Sequence, residues 1–316
     1  MKYSKIKNKM EKILEIQRRF FRKEKNKFLD TVEEKLTEYG YEFERKSFGK
    51  IIKSVNLETK TKSEQPEFIF MAHYDTGQMI PFWMGWIMKL FGHNNILLWI
   101  IFFHFFYDYS KTIFIFSTLL PFHPYHISLF TLIALSLLII LIPNKKNVDD
   151  NTSGVISLLS LAKKCKENGI ENVKFIFVDM EEIGLFGSRA HKRYLEKEHL
   201  ISPNCKIISI DCVGGVGKIP LIVRNSKSGY AEIFHQEIQK EFENCKSIHS
   251  FIPFSDNFSF RKYGALNISF VDKAIFPFGY SLSNVHSSKD VHIDLARIEK
   301  LTNAITNFIK IDDNSL

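Results

Sequence analysis

The stretch VKFIFVDMEEIGLFGS, residues 173–188, places a run of apolar residues directly before a group of carboxylates. The run VKFIFVD from Val173 to Asp179 is rich in β-branched and aromatic residues, which predicts a buried strand. Helical periodicity follows and predicts a helix around Ser188 to Lys197. Because a strand leads into a helix here, the stretch is typical of a sheet covered by helices.

The same alternation continues on both sides of this stretch. Further strands are predicted around 41–44, 50–55, 67–72, 206–211, 220–223 and 266–271, and helices around 28–39, 154–166, 230–242 and 295–309. This order favours a layered α/β sheet flanked by helices.

The composition is that of a chain able to bury a core. Of its 316 residues, 45% are hydrophobic and 25% are charged, which excludes an intrinsically disordered chain. The four cysteines form no CxxC pair, and this argues against a disulfide scaffold and against a cysteine zinc ribbon. We therefore expect reduced thiols.

The positive charge is concentrated at the N-terminus. Residues 1–27 hold eleven Lys or Arg and three Glu, and the whole chain has a net charge of +8. We assign 1–27 to a basic N-terminal helix, which is either solvated or in contact with nucleic acid or an anionic membrane surface. The segment has no RNA-binding motif, so no nucleic-acid partner is expected.

An apolar insert interrupts the alternation at residues 80–143, where the charged residues are Lys89, Asp108 and Lys111. Its length and composition predict two transmembrane helices, near 95–119 and 124–143, with the lipid bilayer as a partner. The alternative is an apolar lid or a dimerisation hairpin in a soluble protein.

Histidine and carboxylate side chains follow the predicted strands, where the ends of parallel strands meet at one edge of a sheet. His73 and Asp75 follow the run FIFMA, Glu181 and Glu182 follow VKFIFVD, and Asp211 follows KIISI. Each of them alone would be read as a turn, a helix cap or a solvated residue. Their arrangement after several strands is what indicates a metal site.

Five segments in order, HYD, DDNTSG, MEEIGLFGS, SIDCVG and NVHSSKD, resemble the signature of the zinc aminopeptidases of peptidase family M28. The resemblance covers residues 28–78 and 145–310. It implies a zinc-exopeptidase-like fold, with a mixed, mostly parallel sheet in a three-layer α/β/α arrangement. The peptidase domain would consist of two parts, 28–79 and 144–316, separated by the insert.

The resemblance also implies a set of ligands for two Zn²⁺ ions, although other divalent metals can occupy such sites. One ion would be held by His73, Asp150 and Asp211. The other would be held by Asp150, Glu182 and His286, with Asp150 bridging both. Glu181 would then be the general base, and Asp75 would orient the His73 imidazole.

The stretch PFSDNFSF resembles the family's SDH segment, although Asn257 stands where the family has histidine. Asp256 is therefore a candidate for binding the amino group of the substrate. The related family M20 also uses HxD, EE and a distal histidine, but the DDNTSG turn leading into a helix is the M28 form.

These features predict a membrane-associated dinuclear zinc aminopeptidase, a hydrolase and metalloprotease acting on peptides with a free N-terminus. The alternatives are a carboxypeptidase, a dipeptidase or a glutaminyl cyclase on the same scaffold, or a catalytically dead membrane scaffold. His73 precedes the insert and Asp150 follows it, so the insert must cross the bilayer an even number of times. The basic flanks then predict a multi-pass membrane protein whose catalytic domain faces the cytoplasm.

Overall fold

The structure is a computed structural model that describes residues 10–50, 53–80, 142–275 and 279–313, together with residues 85, 86, 89, 90, 92, 104 and 111. Its helices are amphipathic or largely buried, and each has an apolar side for packing on a sheet. Besides a helical stretch at residues 10–15, the main α-helices in these ranges are α1 (Arg22–Glu38), α2 (Gly154–Glu167), α3 (Phe186–Lys197), α4 (Ala231–Glu241) and α5 (Leu295–Asp313).

The strands alternate with these helices along the chain. They are β1 (Phe43–Phe48), β2 (Ser54–Thr59), β3 (Phe68–His73), β4 (Val173–Val178), β5 (Lys206–Ile210), β6 (Ile219–Arg224), β7 (Lys246–His249), β8 (Leu266–Lys273) and β9 (Tyr280–Ser281). A 3₁₀ helix, Asp256–Tyr263, leads into β8.

All the described strands belong to one sheet, in the order β1-β2-β4-β3-β5-β8-β6-β7, with β9 paired to β8. The four central strands, β4, β3, β5 and β8, run parallel to one another. Antiparallel pairing joins β2 to β4 on one side and β6 to β8 on the other. The carboxyl ends of β3, β4 and β5 therefore meet at the same edge of the sheet.

Helices cover both faces of the sheet because the side chains of its central strands alternate between two apolar clusters. On β3, Phe68 and Phe70 pack with residues of α1, α2, α4 and α5. Ile69 and Met71 point to the opposite face, where they pack with Leu195 of α3 and with Phe260. The resulting three layers fix the position of the loops at the strand ends.

The predicted mixed α/β fold with a sheet flanked by helices is confirmed. The predicted strand positions differ from the observed ones at their ends, and β7 and β9 were not predicted. The expectation of a mostly parallel sheet holds for the four central strands, whereas β1, β2 and β6 introduce antiparallel pairs. The division of the chain at residues 27, 79 and 143 stays a prediction.

The two ends of the apolar segment lie side by side. Met79 donates a backbone hydrogen bond to the carbonyl of Ile142 (2.9 Å), and Asn144 donates one to the carbonyl of Gly77 (3.0 Å). The chain thus leaves the sheet edge after β3 and returns to the same place before α2. This arrangement brings the segment that follows His73 next to the segment that carries Asp150.

The prediction of a multi-pass membrane protein facing the cytoplasm is wrong. Among the described residues, no helix has both the length and the apolar character that crossing a bilayer requires. The longest ones, α1 with 17 residues and α5 with 19, carry charged side chains along their lengths and pack against the sheet. The transmembrane insert and the bilayer partner are therefore not supported, and the two spans placed near 95–119 and 124–143 fall largely outside the described residues.

The basic N-terminal segment packs against the domain rather than extending away from it. Residues 10–15 are helical, 16–20 are not, and α1 begins at Arg22. Met10 and Ile13 are buried in the same apolar cluster as α1 and α2. In the described part of this segment, Met10 and Ile13 therefore belong to the core.

Candidate metal centre

Three loops at one sheet edge carry the side chains that the sequence singled out. His73 is the last residue of β3, Glu181 and Glu182 lie in the loop after β4, and Asp211 directly follows β5. These strands are parallel neighbours, so their ends are adjacent. A fourth segment, the turn Val148–Ser153 before α2, brings Asp150 to the same place.

The first half of the site is formed around His73. Its Nε2 atom lies 3.3 Å from Oδ1 of Asp150 and 3.5 Å from Oδ1 of Asp211. Cys212 also borders this half, because its thiol donates to Oδ1 of Asp211 (3.1 Å). The structure thus brings together the three residues that the resemblance assigned to one metal.

The second half is formed around His286 and uses the other oxygen of Asp150. The Nε2 atom of His286 lies 3.3 Å from Oδ2 of Asp150 and 3.5 Å from Oε2 of Glu182. The Nδ1 atom of His286 makes a hydrogen bond with the carbonyl of Gln78 (3.2 Å), which directs Nε2 into the site. Each carboxylate oxygen of Asp150 therefore faces a different imidazole.

Asp75 connects His73 to the loop that carries the two glutamates. The Nδ1 atom of His73 makes a hydrogen bond with the backbone carbonyl of Asp75 (3.3 Å), and the Oδ1 atom of Asp75 lies 3.6 Å from the same nitrogen. The same carboxylate accepts hydrogen bonds from the backbone N–H groups of Glu181 (3.1 Å) and Glu182 (3.4 Å). Asp75 is buried, and its carboxylate ties the backbone of the glutamate loop to the end of β3.

Asp290 supports the Asp149–Asp150 segment, a contact that the sequence analysis did not identify. Its carboxylate accepts hydrogen bonds from the backbone N–H groups of Asp149 (2.7 Å) and Asp150 (3.1 Å). Asp149 in turn accepts from the N–H of Gly214 (2.9 Å). Asp290 belongs to the quoted motif NVHSSKD, so its presence in that motif was the available signal.

The electrostatics of the site reflect many buried carboxylates. Burial raises the pKa of both Glu181 and Glu182 well above the ordinary value, and neighbouring carboxylates raise them further. Burial alone would lower the pKa of His73, but Glu181, Asp150 and Asp211 raise it well above its usual range. Burial alone would raise the pKa of Asp150, but His286 and His73 lower it to about 2.

The donor set fits divalent cations. Ligand atoms of His73, Asp150 and Glu182 all lie within 4.8 Å of one another, and so do those of Asp150, Asp211 and Cys212. The Oε1 atom of Glu182 is buried without a hydrogen-bond partner among the described residues. Buried carboxylates need compensation by positive charge, and imidazole and carboxylate are ligands that zinc accepts.

Gly77 allows the second half of the site to close. A Cβ atom at this position would lie 2.6 Å from Oε2 of Glu182 and 2.6 Å from Cε1 of His286. No side chain larger than hydrogen fits there without moving one of these residues. Nothing in the sequence alone distinguished this glycine, because the contact arises from the folded positions of two distant segments.

We expect Gly77→Ala to lower zinc affinity by about 10- to 100-fold, because displacing Glu182 or His286 separates two ligands of one half. Isothermal titration calorimetry on the folded variant measures this. Gly229→Ala is the matched control, since a Cβ at Gly229 meets no atom within 4 Å. Equal zinc affinities for the two variants would contradict the assigned crowding.

Asp256 lies near this site in the 3₁₀ helix. It is fully buried, and neither of its carboxylate oxygens has a hydrogen-bond partner among the described residues. Burial raises its pKa to about 7. The neighbouring Asn257 instead donates to Oδ1 of Asn225 (2.9 Å) and to the carbonyl of Val223 (3.3 Å), so it supports the fold.

A cavity of about 90 Å³ lies over the site. The polar residues described above form one side of it. Its other side is apolar and is formed by Pro253, Phe254, Leu282 and Val285. A substrate in this cavity would place polar atoms against the carboxylates and an apolar group against this wall.

The sequence profile of peptidase family M28 matches residues 141–309, which is more than half of the 316-residue chain. The chain belongs to peptidase family M28. The matched range includes Asp150, Glu181, Glu182, Asp211 and His286. The predicted membership is confirmed, whereas the roles of the individual residues stay predictions.

Solved structures with the same fold include aminopeptidases and glutaminyl cyclases. LapA aminopeptidase of Legionella pneumophila has a TM-score of 0.62 and 12% identity, over 96% of this chain and 70% of that one. The glutaminyl cyclase of Porphyromonas gingivalis has a TM-score of 0.63 and 13% identity, over 97% of both chains. A leucine aminopeptidase precursor from Bacteroides thetaiotaomicron has a TM-score of 0.57 and 15% identity, over 97% of this chain and 94% of that one.

No curated protein matches the sequence. At identities this low, the structural likeness shows the fold, and both kinds of enzyme occur on it. Together with the family match, it supports a peptidase-like enzyme on a zinc-exopeptidase-like scaffold.

Proposed function

We propose that this M28 chain is a zinc-dependent aminopeptidase with two metal positions. The observation that carries the proposal is the placement of Asp150, whose two carboxylate oxygens face His73 and His286 at 3.3 Å each. One further carboxylate, from Asp211 or Glu182, completes each half. This symmetry is what a bridging ligand between two cations requires.

The charges of the ligand set suit this purpose. Three carboxylates and two neutral imidazoles carry about three negative charges, so two divalent cations would keep a net positive charge at the centre. When bound, these cations would supply Lewis acidity to the scissile carbonyl and to the attacking water. The protein must therefore supply the base, the orientation of the ligands and the recognition of the substrate.

Glu181 is proposed as the base. Asp75 holds its backbone N–H, so the loop presents the Glu181 carboxylate to the cavity beside the ligands. Its carboxylate would take a proton from the attacking water as the oxygen bonds to the carbonyl carbon. It would then give that proton to the leaving nitrogen as the C–N bond breaks.

Asp256 is proposed to bind the α-amino group of the substrate. A buried carboxylate without hydrogen-bond partners is costly. Asp256 does not line the cavity itself, but its charge acts on the pKa of Glu181, so a substrate ammonium group that extended past Glu181 would supply the missing partner. The apolar wall at Phe254 and Leu282 favours an apolar N-terminal side chain. Peptides with a free N-terminal leucine are therefore suitable test substrates.

We expect N-acetylation of such a peptide to lower kcat/KM by about 10²-fold or more, because it removes the cation that pairs with buried Asp256. Asp256→Asn should lower kcat/KM for the free peptide by a similar factor, with little further loss for the acetylated one. Mass spectrometry of the products measures both rates. Equal cleavage of free and blocked peptides, or release from the carboxyl end, would rule out an aminopeptidase.

A glutaminyl cyclase is the second candidate, because the Porphyromonas gingivalis cyclase has the same fold over nearly the whole chain. A cyclase would also need a free α-amine, so blocked peptides do not separate the two activities. A peptide with N-terminal glutamine does separate them. An aminopeptidase releases free glutamine, whereas a cyclase keeps the chain intact, releases ammonia and lowers the peptide mass by that of ammonia.

A further inference from the structure

Arg19 is fully buried, although it lies in the basic N-terminal segment and has Arg18 beside it. Its guanidinium donates to the carbonyl of Tyr74 through Nε (2.5 Å) and to Oγ1 of Thr152 through Nη1 (2.9 Å). It also lies 4.4 Å from the ring centre of Phe28. This segment lies outside the matched range 141–309.

A third acceptor, the carbonyl of Ile16 (2.7 Å), lies in the N-terminal segment itself, whereas Tyr74 and Thr152 belong to the two segments that carry the proposed ligands. Tyr74 lies between His73 and Asp75, and Thr152 is two residues after Asp150 in the turn before α2. One guanidinium therefore joins segments that are separated by the whole apolar insert in sequence. It acts directly between the loop of His73 and the loop of Asp150.

The backbone of the segment strengthens this connection. The N–H of Arg19 donates to Oγ1 of Thr76 (3.0 Å), and the N–H of Thr76 donates to the carbonyl of Arg19 (3.3 Å). Nearby, Lys25 forms a buried ion pair with Asp179 (2.6 Å), which precedes the loop of Glu181 and Glu182. The N-terminal segment thus contacts the segments that carry His73 and Asp150, and Asp179 at the end of the strand before the proposed base.

The charge of Arg19 also bears on the site. Burial lowers its pKa to about 10, so it stays protonated at neutral pH, and the surrounding carboxylates of Asp150, Asp75 and Asp290 oppose that lowering. Its Nη2 atom has no hydrogen-bond partner among the described residues. An apolar side chain of similar size would fill this space at a lower desolvation cost, so packing alone does not account for an arginine here.

We propose that Arg19 is a positioning residue of the metal centre, which fixes His73 relative to Asp150 and thereby sets the affinity for zinc. The inference rests on the proposed function, since it concerns the same metal site. It gives the N-terminal segment, which lies outside the matched range, a role in metal binding. The competing explanation is that Arg19 contributes to folding alone.

The test compares zinc binding and turnover of the full chain with those of Arg19→Met, Arg19→Lys and the exposed control Arg18→Met. We expect Arg19→Met to lower zinc affinity by about 10- to 100-fold, and to lower kcat more than it raises KM. Arg19→Lys should bind zinc more tightly than Arg19→Met, because an ammonium group keeps the positive charge. It should not reach the wild-type affinity, because it lacks the planar guanidinium that donates to Tyr74 and Thr152 together. Arg18→Met should bind zinc as the wild type does.

A double-mutant cycle that combines Arg19→Met with Thr152→Val isolates the contact between these two side chains. The Thr152 hydroxyl also donates to the carbonyl of Asn147, but Thr152→Val removes that hydrogen bond whether residue 19 is Arg or Met. We expect zinc affinities of the single variants to be non-additive in the cycle. If Arg19→Met does not fold, Thr152→Val and Arg19→Lys decide, and each should weaken zinc binding several-fold.

Three results would overturn the inference. If folded Arg19 variants bind zinc as tightly as the wild type, the inference about Arg19 is wrong, even if their melting temperature is lower. That result would leave the proposed function unaffected. If the changes in zinc-binding free energy of the two single variants add up in the double variant, the contact between Arg19 and Thr152 has no effect on zinc binding. A wild-type chain that binds no zinc would overturn the proposed function and this inference together.

Discussion

Replacing Glu181 with glutamine should lower kcat by about 10²- to 10⁴-fold and leave zinc binding intact. The amide has nearly the same shape as the carboxylate but cannot accept the proton of the attacking water. The backbone hydrogen bond from Glu181 to Asp75 does not involve the side chain, so the loop should keep its conformation. Steady-state kinetics and zinc titration of the same preparation test both parts.

Glu182→Gln is the matched control for this experiment. It changes the adjacent residue in the same way, but its carboxylate faces His286 and belongs to the proposed ligand set. It should therefore weaken zinc binding, unlike Glu181→Gln. Near-normal kcat in Glu181→Gln would show that the base is assigned to the wrong residue.

Asp150→Asn should abolish tight binding of both zinc ions, and activity with it. Asp150 is the residue that faces both imidazoles, so replacing its negative charge affects both halves at once. We expect the zinc content of the purified variant to fall from two ions per chain to none. Metal analysis by mass spectrometry measures it directly.

Asp211→Asn separates a bridging role from a general loss of charge. Asp211 faces His73 in the first half of the site, whereas the second half is formed by His286, Glu182 and the other oxygen of Asp150. This variant should keep about one zinc ion per chain under conditions where Asp150→Asn keeps none. Equal zinc contents in the two variants would show that Asp150 does not bridge.

The sequence predicted the location of the site because parallel strands force their ends together. His73, Glu182 and Asp211 follow adjacent strands, and a run of apolar residues before each marks the strand end. Their distances to Asp150 and His286 were beyond sequence reasoning, since those residues reach the site from loops. The family resemblance supplied their order instead.

The burial of Arg19 could not be predicted from the sequence. Its neighbours in the chain are basic or polar as often as apolar, which is also the pattern of a solvated helix. Burial of Arg19 depends on acceptors at Tyr74 and Thr152, and those residues are distant in sequence. Only tertiary structure brings such partners together.

Two further differences have local causes. Strand β7, Lys246–His249, is short and largely exposed, so it has no apolar run to reveal it. The segment Asp256–Tyr263 forms a 3₁₀ helix, whose period of about three residues per turn differs from the periods of α-helices and strands. The membrane prediction rested on the length and composition of the insert, and the described helices do not support it.

The most direct test of the central claim is a titration of zinc into metal-free wild-type chain while release of the N-terminal residue from a free-amine peptide is followed. The paired distances around Asp150 predict no release without metal and full activity at two zinc ions per chain. Release that is unchanged in the metal-free chain would contradict the account. Saturation with zinc that yields no release from any free-amine peptide would contradict it equally.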